Sequence, residues 1–240
     1  MKFIANKPAA VIGKTLVICD LHYGIELFLQ RNGVQITLEP HKYADALNKL
    51  QRESKTTELL VVGDFKHTIT GFDQRERNYF NELIHLLKFK KITIVKGNHD
   101  GNIEQLAKPF PQIEIQPPTG YSFKNGKVTY GFFHGHALPS EKVLACHYIF
   151  CGHNHAGVRI GSEKFGKTTP AWLVVPFNTK QKLIAMPSFN PLSGNVAFNA
   201  VKRSSLHGPI FKDKRLDLEN AEVIQLNGQR IGKLKHLRTV

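Results

Sequence analysis

The chain has 240 residues, 41% of them hydrophobic and 22% charged, and its 33 Lys+Arg against 19 Asp+Glu leave a formal charge of +14. That balance excludes disordered and fibrous classes, no apolar run nears the roughly 20 residues of a membrane-spanning helix, and a chain of this length can bury a core without disulfides. Three cysteines without Cys-x-x-Cys spacing, behind an N-terminal stretch that does not read as a leader, point to a cytoplasmic protein.

Residues 15–19 are a short apolar, β-branched run, the length of a buried strand, and they lead into Asp20-Leu21-His22. Pro40 suits a first helical turn, and Tyr43, Ala46, Leu47 and Leu50 then fall at i, i+3, i+4, i+7, which predicts a helix with that face buried. A second strand over 59–62 delivers Gly63-Asp64. A second helix repeats the pattern at Phe80, Leu83, Ile84 and Leu87, capped near Asp73, and a third strand over 92–95 ends in Gly97-Asn98-His99-Asp100. Asn125-Gly126 reads as a type I′ hairpin turn, since both central positions of that turn need positive φ. Strands over 128–133 and 148–151 then deliver His134-Gly135-His136 and Gly152-His153-Asn154-His155. Trp172 and the run 173–175 fit a late strand, and Asn227-Gly228 marks a second hairpin of the same kind. The stretch 193–217, with Lys202-Arg203 and the Lys212 to Arg215 cluster, is read as a loop or as a segment ordered by a partner; nothing marks a second domain, so 1–240 is one unit. Strands alternating with helices make an α/β architecture whose functional groups gather beyond the strands' carboxyl ends.

Five strand ends therefore carry carboxylate, amide or imidazole groups. Chance places Gly-Asn-His-Asp in such a chain about 0.002 times. Asp20 with His22, and His153 with His155, are two apart and would project together from an extended segment. Two divalent cations about 3.5 to 4 Å apart can clamp the attacking and leaving oxygens of a displacement at phosphorus, and they need a shared carboxylate, neutral imidazoles and a ligand that adds no charge.

The ordered set D-x-H, G-D, G-N-H-D, H-G-H and G-H-x-H over residues 20–155 resembles the calcineurin-like metallophosphoesterase superfamily. The forms Asp-Leu-His-Tyr-Gly-Ile-Glu, Gly-Asp-Phe-Lys-His and Pro-Ser-Phe-Asn-Pro are similar to the small prokaryotic phosphoesterases related to repair nucleases. The resemblance implies a four-layer α-β-β-α sandwich, two mixed sheets flanked by helices. It implies one metal on Asp20, His22, Asp64 and His155, and a second on Asp64, Asn98, His134 and His153, with Asp64 bridging. It further implies His99 as general acid, Asp100 fixing its orientation, and a metal-bridging hydroxide as nucleophile. Mn²⁺ is the favoured ion, with Fe, Ni, Co or Zn equally suited to the donors. The substrate is a phosphoester, and the +14 charge favours nucleic acid, because Lys and Arg release counterions from a phosphate backbone. A small-substrate phosphatase or cyclic-nucleotide phosphodiesterase is the alternative enzyme, and a noncatalytic nucleic-acid-binding protein the remote one.

Other residues stay open at this level. His136 is an outer or substrate contact; Lys66 and His67 face a phosphate, stand behind the ligands or lie on the surface. Glu26 and Arg159 match positions near the site but also fit solvated ones. His41, His85, His147, His207 and His236 fit no spacing and read as ordinary residues, and Cys19 and Cys151 as small core residues. Oligomeric state is not encoded in any recognisable pattern.

Overall fold

The computed structural model describes residues 1–161 and 165–238. The first half of the chain lays down six strands in sequence order: β1 (Lys2–Phe3), β2 (Ala10–Ile12), β3 (Thr15–Cys19), β4 (Glu58–Val62), β5 (Lys91–Val95) and β6 (Ile113–Gln116). The first three pair antiparallel and β3 to β6 pair parallel. Parallel neighbours require crossovers, here supplied by α1 (Ile25–Arg31) with α2 (Pro40–Ser54), by α3 (Gln74–Leu86) and by α4 (Ile103–Ala107).

The second half forms a nine-stranded mixed sheet from β7 (Tyr121–Asn125), β8 (Val128–Phe133), β9 (Tyr148–Cys151), β10 (Ala156–Ile160), β11 (Lys167–Phe177), β12 (Gln181–Ala185), β13 (Val196–Ala197), β14 (Glu222–Gln225) and β15 (Arg230–Lys233). Its main path runs β13-β10-β11-β12-β9-β8-β7, with β14 on β11 and β15 beyond it. A fifth helix, α5 (Glu141–Leu144), lies between β8 and β9 in the chain.

Period-two alternation explains why the central strands are apolar throughout. Leu16, Ile18, Leu59 and Val61 pack against Leu47, Leu50, Phe80 and Leu83 of the helices. Their neighbours Val17, Cys19, Leu60 and Val62 point the other way and meet Phe132, Phe150, Trp172 and Ile184 of the second sheet. A third core covers that sheet's far face, where Ile149, Cys151, Leu173 and Val175 lie beneath Val143 of α5 and beneath Phe198, Leu206, Ile210 and Phe211. The result is the expected two mixed sheets between covering layers, with one difference. The outer cover of the second sheet is built mainly from short 3-10 turns at Arg203–Ser205 and Pro209–Lys212 rather than long helices.

Those turns belong to the stretch read as a loop or partner-ordered arm, which is irregular chain broken by short turns and packs on the second sheet. The segment carries its own apolar anchors, and Arg203 donates to the carbonyls of Phe211 and Asp213, both at 2.6 Å. Its charges therefore partly serve the fold.

Two further expectations shift. Of the face read as buried on α2, Ala46 is exposed, while Ala44 and Asn48 are buried; the Asn48 amide donates to the Leu86 carbonyl at 2.8 Å and accepts from the Lys88 N–H at 2.9 Å, closing the end of α3. Neither Asn-Gly pair forms the expected type I′ turn. Asn125 pairs with Val128 across the first hairpin, so Gly126 and Lys127 are the central residues and only Gly126 has positive φ, +61°. The second hairpin has a three-residue loop closed by Gly228 N–H to the Gln225 carbonyl, with Gly228 at φ +90°. The Asp73 cap forms as read, as a reciprocal capping box with Glu76. Among the described residues no helix is long and apolar enough to cross a membrane.

Candidate metal centre

The ends of β3, β4, β5, β8 and β9 bring the five motifs together. Beyond β3 and β4 the chains stay paired, Asp20 N–H to the Gly63 carbonyl and His22 N–H to the Asp64 carbonyl, so both turns advance toward the site in step. The side chains converge for a different reason from the one the spacing predicts. Asp20, His22, Asp64, His153 and His155 have φ of +50°, +43°, +49°, +70° and +43°, so these segments are left-handed turns, not extended chain. A non-glycine residue there costs on the order of 1 to 3 kcal/mol, and five of them lie together at these strand ends.

At the centre stands Asp64. The backbone N–H of His99 donates to its Oδ1 at 2.8 Å, which leaves Oδ2 facing His134 Nε2 at 3.4 Å, His22 Nε2 at 3.7 Å and His99 Nε2 at 3.9 Å. The close approach needs Gly97, since a Cβ there would lie 2.0 Å from Asp64 Oδ1. Asp20, fully buried, meets His134 Nε2 at 2.9 Å and His155 Nε2 at 3.6 Å and accepts from the His153 N–H at 3.2 Å. His22 Nε2 and His155 Nε2 lie 3.2 Å apart.

Asp20, His22 and His155 form one group whose ligand atoms lie within 4.8 Å of one another, and Asp64, His134 and His153 form a second. A third such group, His22, His67 and His99, shares His22 with the first. Asn98 adds an amide oxygen, Oδ1, that is buried without a hydrogen-bond partner. A buried acceptor without a partner, in the segment whose next residue donates to Asp64, accords with a donor set that fits divalent metal.

Electrostatics agree for two of the four imidazoles, since the carboxylates facing His134 and His155 raise those two rings despite their burial. Burial holds His22 down at about 3 and His153 at about 4, so both rings are neutral at pH 7, the form that ligates. Burial pushes Asp64 up to about 6, with His134 pulling against it. For Asp20 burial also acts upward, but the contacts with His134 and His155 outweigh it and hold the carboxyl well below its usual range.

Around the candidate ligands the structure places several residues whose readings stayed open. His99 Nδ1 donates to the His67 carbonyl, which turns its Nε2 toward Asp64. Asp100 does not make the expected contact with that ring: it is fully buried, and its carboxylate accepts from the backbone N–H groups of Gly97 at 2.8 Å and Lys66 at 3.2 Å, tying two motif loops together. Lys66 is buried and neither faces a phosphate nor lies on the surface; its ammonium donates to the carbonyls of Thr68 and, at 3.3 Å, Gly71. His67 stands behind the ligands, its Nδ1 3.4 Å from His22 Nδ1 and its ring stacked on His99 at 5.3 Å.

Glu26 is buried rather than solvated and accepts from the Tyr43 hydroxyl at 2.5 Å; Asn190, which donates to that hydroxyl and to the Leu21 carbonyl, completes a brace behind the first loop. His136 Nδ1 lies 3.0 Å from His134 Nδ1, an outer position that orients the inner ring. Arg159 sits half-buried on β10, its backbone bridged by the Asn199 amide. His207, read as an ordinary residue, lies on the segment 193–217 with its ring 5.9 Å from that of His153. No motif spacing could have found it, because its neighbour is fifty residues away in sequence.

A family model described as calcineurin-like phosphoesterase matches residues 13–195. No curated protein matches the chain. Among solved structures, a nuclease, MPE, from Pseudomonas putida is 14% identical at a TM-score of 0.51, with 89% of this chain and 85% of that chain covered. A protein of unknown function, AQ665, from Aquifex aeolicus is 18% identical at a TM-score of 0.40, covering 59% and 78%. Vps29 from Entamoeba histolytica, complexed with zinc, is 17% identical at 0.35, covering 75% and 79%. At these identities the nuclease likeness is a likeness of fold.

Proposed function

Since this chain belongs to the calcineurin-like phosphoesterase family, we propose that it is a dinuclear metal-dependent hydrolase of phosphodiester bonds, with nucleic acid as its substrate and Mn²⁺ as its working ion. The observation that carries the reading is Asp64 Oδ2, faced by three imidazoles while Oδ1 is occupied by a backbone N–H, beside the unpartnered Asn98 Oδ1. Asp20, His22, Asp64 and His155 would hold one ion, and Asp64, Asn98, His134 and His153 the other. When bound, such a pair supplies a water of lowered pKa and neutralises charge building on the phosphoryl oxygens.

The chain's own groups do the rest. A carbonyl can only accept, so the His67 carbonyl keeps a proton on His99 Nδ1, and in the imidazolium form Nε2–H is the donor available to a leaving oxygen. Asp64 Oδ2 faces that nitrogen at 3.9 Å. His136 and His67, each placed at the outer nitrogen of a ligand ring, fix the tautomers of His134 and His22.

The inter-sheet core draws on residues from Ala10 to Ile224, which supports reading the chain as one domain. Free, buried thiols at Cys19, Cys146 and Cys151 accord with a cytosolic setting. The formal charge of +14 and the nuclease fold neighbour favour a polyanionic substrate over a small one. The test is a matrix of Mn²⁺, Co²⁺, Ni²⁺, Fe²⁺ and Zn²⁺ against a chromogenic monoester, a chromogenic diester, cyclic nucleotides, DNA and RNA, with chelated protein as baseline. Metal-dependent cleavage of DNA or RNA is expected. Turnover confined to monoesters or cyclic nucleotides would replace the nuclease reading with the small-substrate one, and no turnover of any phosphoester would leave only the noncatalytic reading.

A further inference from the structure

His207 lies beyond the matched family region, on the covering segment, yet it reaches the metal cluster. Its backbone is held by a closed pair of hydrogen bonds with the Asn154 side chain: Asn154 Nδ2 donates to the His207 carbonyl and the His207 N–H donates to Asn154 Oδ1, both at 2.9 Å. Asn154 is itself buried, between His153 and His155. The next residue, Gly208, sits at φ +92° so close to the other motif loop that a Cβ would lie 2.0 Å from the Gly135 carbonyl oxygen. Leu206 and Ile210 anchor the segment on either side in the outer core. The backbone at 207 is therefore clamped to both loops that carry His134 and His153.

The ring is treated differently. It is exposed and makes no hydrogen bond among the described residues, and its centroid stands 5.9 Å from that of His153 in an edge-on arrangement. A fixed backbone carrying an uncommitted imidazole beside a candidate metal ligand suits a group that meets an anion, since the ring can donate to a phosphoryl oxygen that an ion held by His153 would attract.

Resting on the function proposed above, we infer that His207 is a substrate contact that donates to a non-bridging oxygen of the scissile phosphate from the His153 side of the cluster. His99 serves the leaving oxygen from the His22 side, where its ring stands 4.9 Å from that of His22. The two roles separate cleanly. A contact to a non-bridging oxygen acts whatever the leaving group, whereas a general acid matters most when the leaving group is poor.

The experiment compares Mn²⁺-loaded wild type, His207→Ala and His207→Gln by elemental analysis, by calorimetric titration with inorganic phosphate, and by kcat/KM on one diester with a good leaving group and one with a poor one. His207→Ala should keep the wild-type metal content, weaken phosphate binding about ten- to a hundredfold, as loss of a hydrogen bond to a charged partner does, and slow both diesters equally. His207→Gln, with an amide donor, should recover part of the phosphate affinity. Unchanged phosphate affinity in His207→Ala overturns the inference, and so does loss of metal, which would make His207 a ligand. If wild type binds phosphate but cleaves no phosphoester, the function proposed above fails while the phosphate titration still decides the role of His207.

Discussion

Asp64 divides its two oxygens between different tasks, one fixed by the His99 N–H at 2.8 Å and the other presented to three rings. Replacing it with asparagine keeps the shape but removes the shared charge, so Asp64→Asn should lose metal and activity together, whereas His153→Ala should retain one ion. Elemental analysis checks both, and two ions per chain in an inactive Asp64→Asn protein would refute the bridging position. His99 offers the complementary case, because its ring adds no ligand in the proposed set. His99→Ala should keep both ions and lose roughly 10² to 10⁴ in rate on a poor leaving group, and much less on a good one. Equal losses on the two substrates would remove His99 as the acid.

At the level of elements, the loop 67–72 shows how a buried cation can act on chemistry it never touches. Lys66 follows Phe65 into the core, and burial lowers its ammonium below the usual lysine range; its donors are spent on the Thr68 and Gly71 carbonyls. The loop so held carries the carbonyl that orients His99 and the ring that backs His22. Lys66→Met preserves length but leaves two carbonyls unmatched, which should cost about 1 to 3 kcal/mol of stability. Denaturant unfolding measures that loss. The same variant, with its metal content intact, should also show a reduced kcat on poor leaving groups; full stability and full kcat would show that the loop holds without its ammonium.

For the whole molecule, charge acts in two ways. In the unfolded chain histidines titrate near 6.5. In the fold, burial depresses His22 to about 3 and His67, His136 and His153 to about 4. The unfolded state then binds more protons, so stability present above pH 6.5 is lost as pH falls toward 4. Asp64, raised by burial to about 6, acts in the opposite sense between about 4 and 6, and Asp100, also raised by burial, acts with it, but they are two groups against four. His134 and His155 are raised by the nearby carboxylates despite burial, and they oppose the trend only above pH 6.5. Chelated protein should therefore melt at progressively lower temperature from pH 6.5 to 4.5, and a flat or rising Tm over that range would contradict the assignment. The surface charge has its own signature. Lys212 and Lys214 are exposed, while Arg215 is engaged with Asp213 at 2.6 Å and lies over the Phe177 ring. If nucleic acid tracks this face, Lys212→Ala with Lys214→Ala should flatten the salt dependence of DNA binding, each phosphate contact on duplex being worth a slope of about −0.9, and leave a small diester unaffected. Equal slopes in variant and wild type would exclude this face from the binding track.

The sequence by itself determined the five central strands and the two long helices, and it named Asp20, His22, Asp64, His134, His153 and His155, which the fold gathers into two groups, because each depends on local signals: apolar runs of strand length, a 3.6 period, a capping pair, and chemistry placed immediately after a strand. Tertiary structure decided what local signals cannot carry. Left-handed backbone at Asp20, His22, Asp64, His153 and His155 is imposed by packing against the neighbouring loops, and no residue type there demands it. Asp100 abandons His99 for two backbone N–H groups because the loops of β4 and β5 meet at its position. The basic segment became part of the outer core because Leu206, Ile210 and Phe211 are too sparse for a periodic pattern yet enough to anchor it over the second sheet. His207 reached the metal centre by that same packing: an imidazole's role is set by what lies within a few ångströms, and its nearest functional neighbour, His153, is brought there by a sheet, two loops and an asparagine clamp rather than by any spacing along the chain.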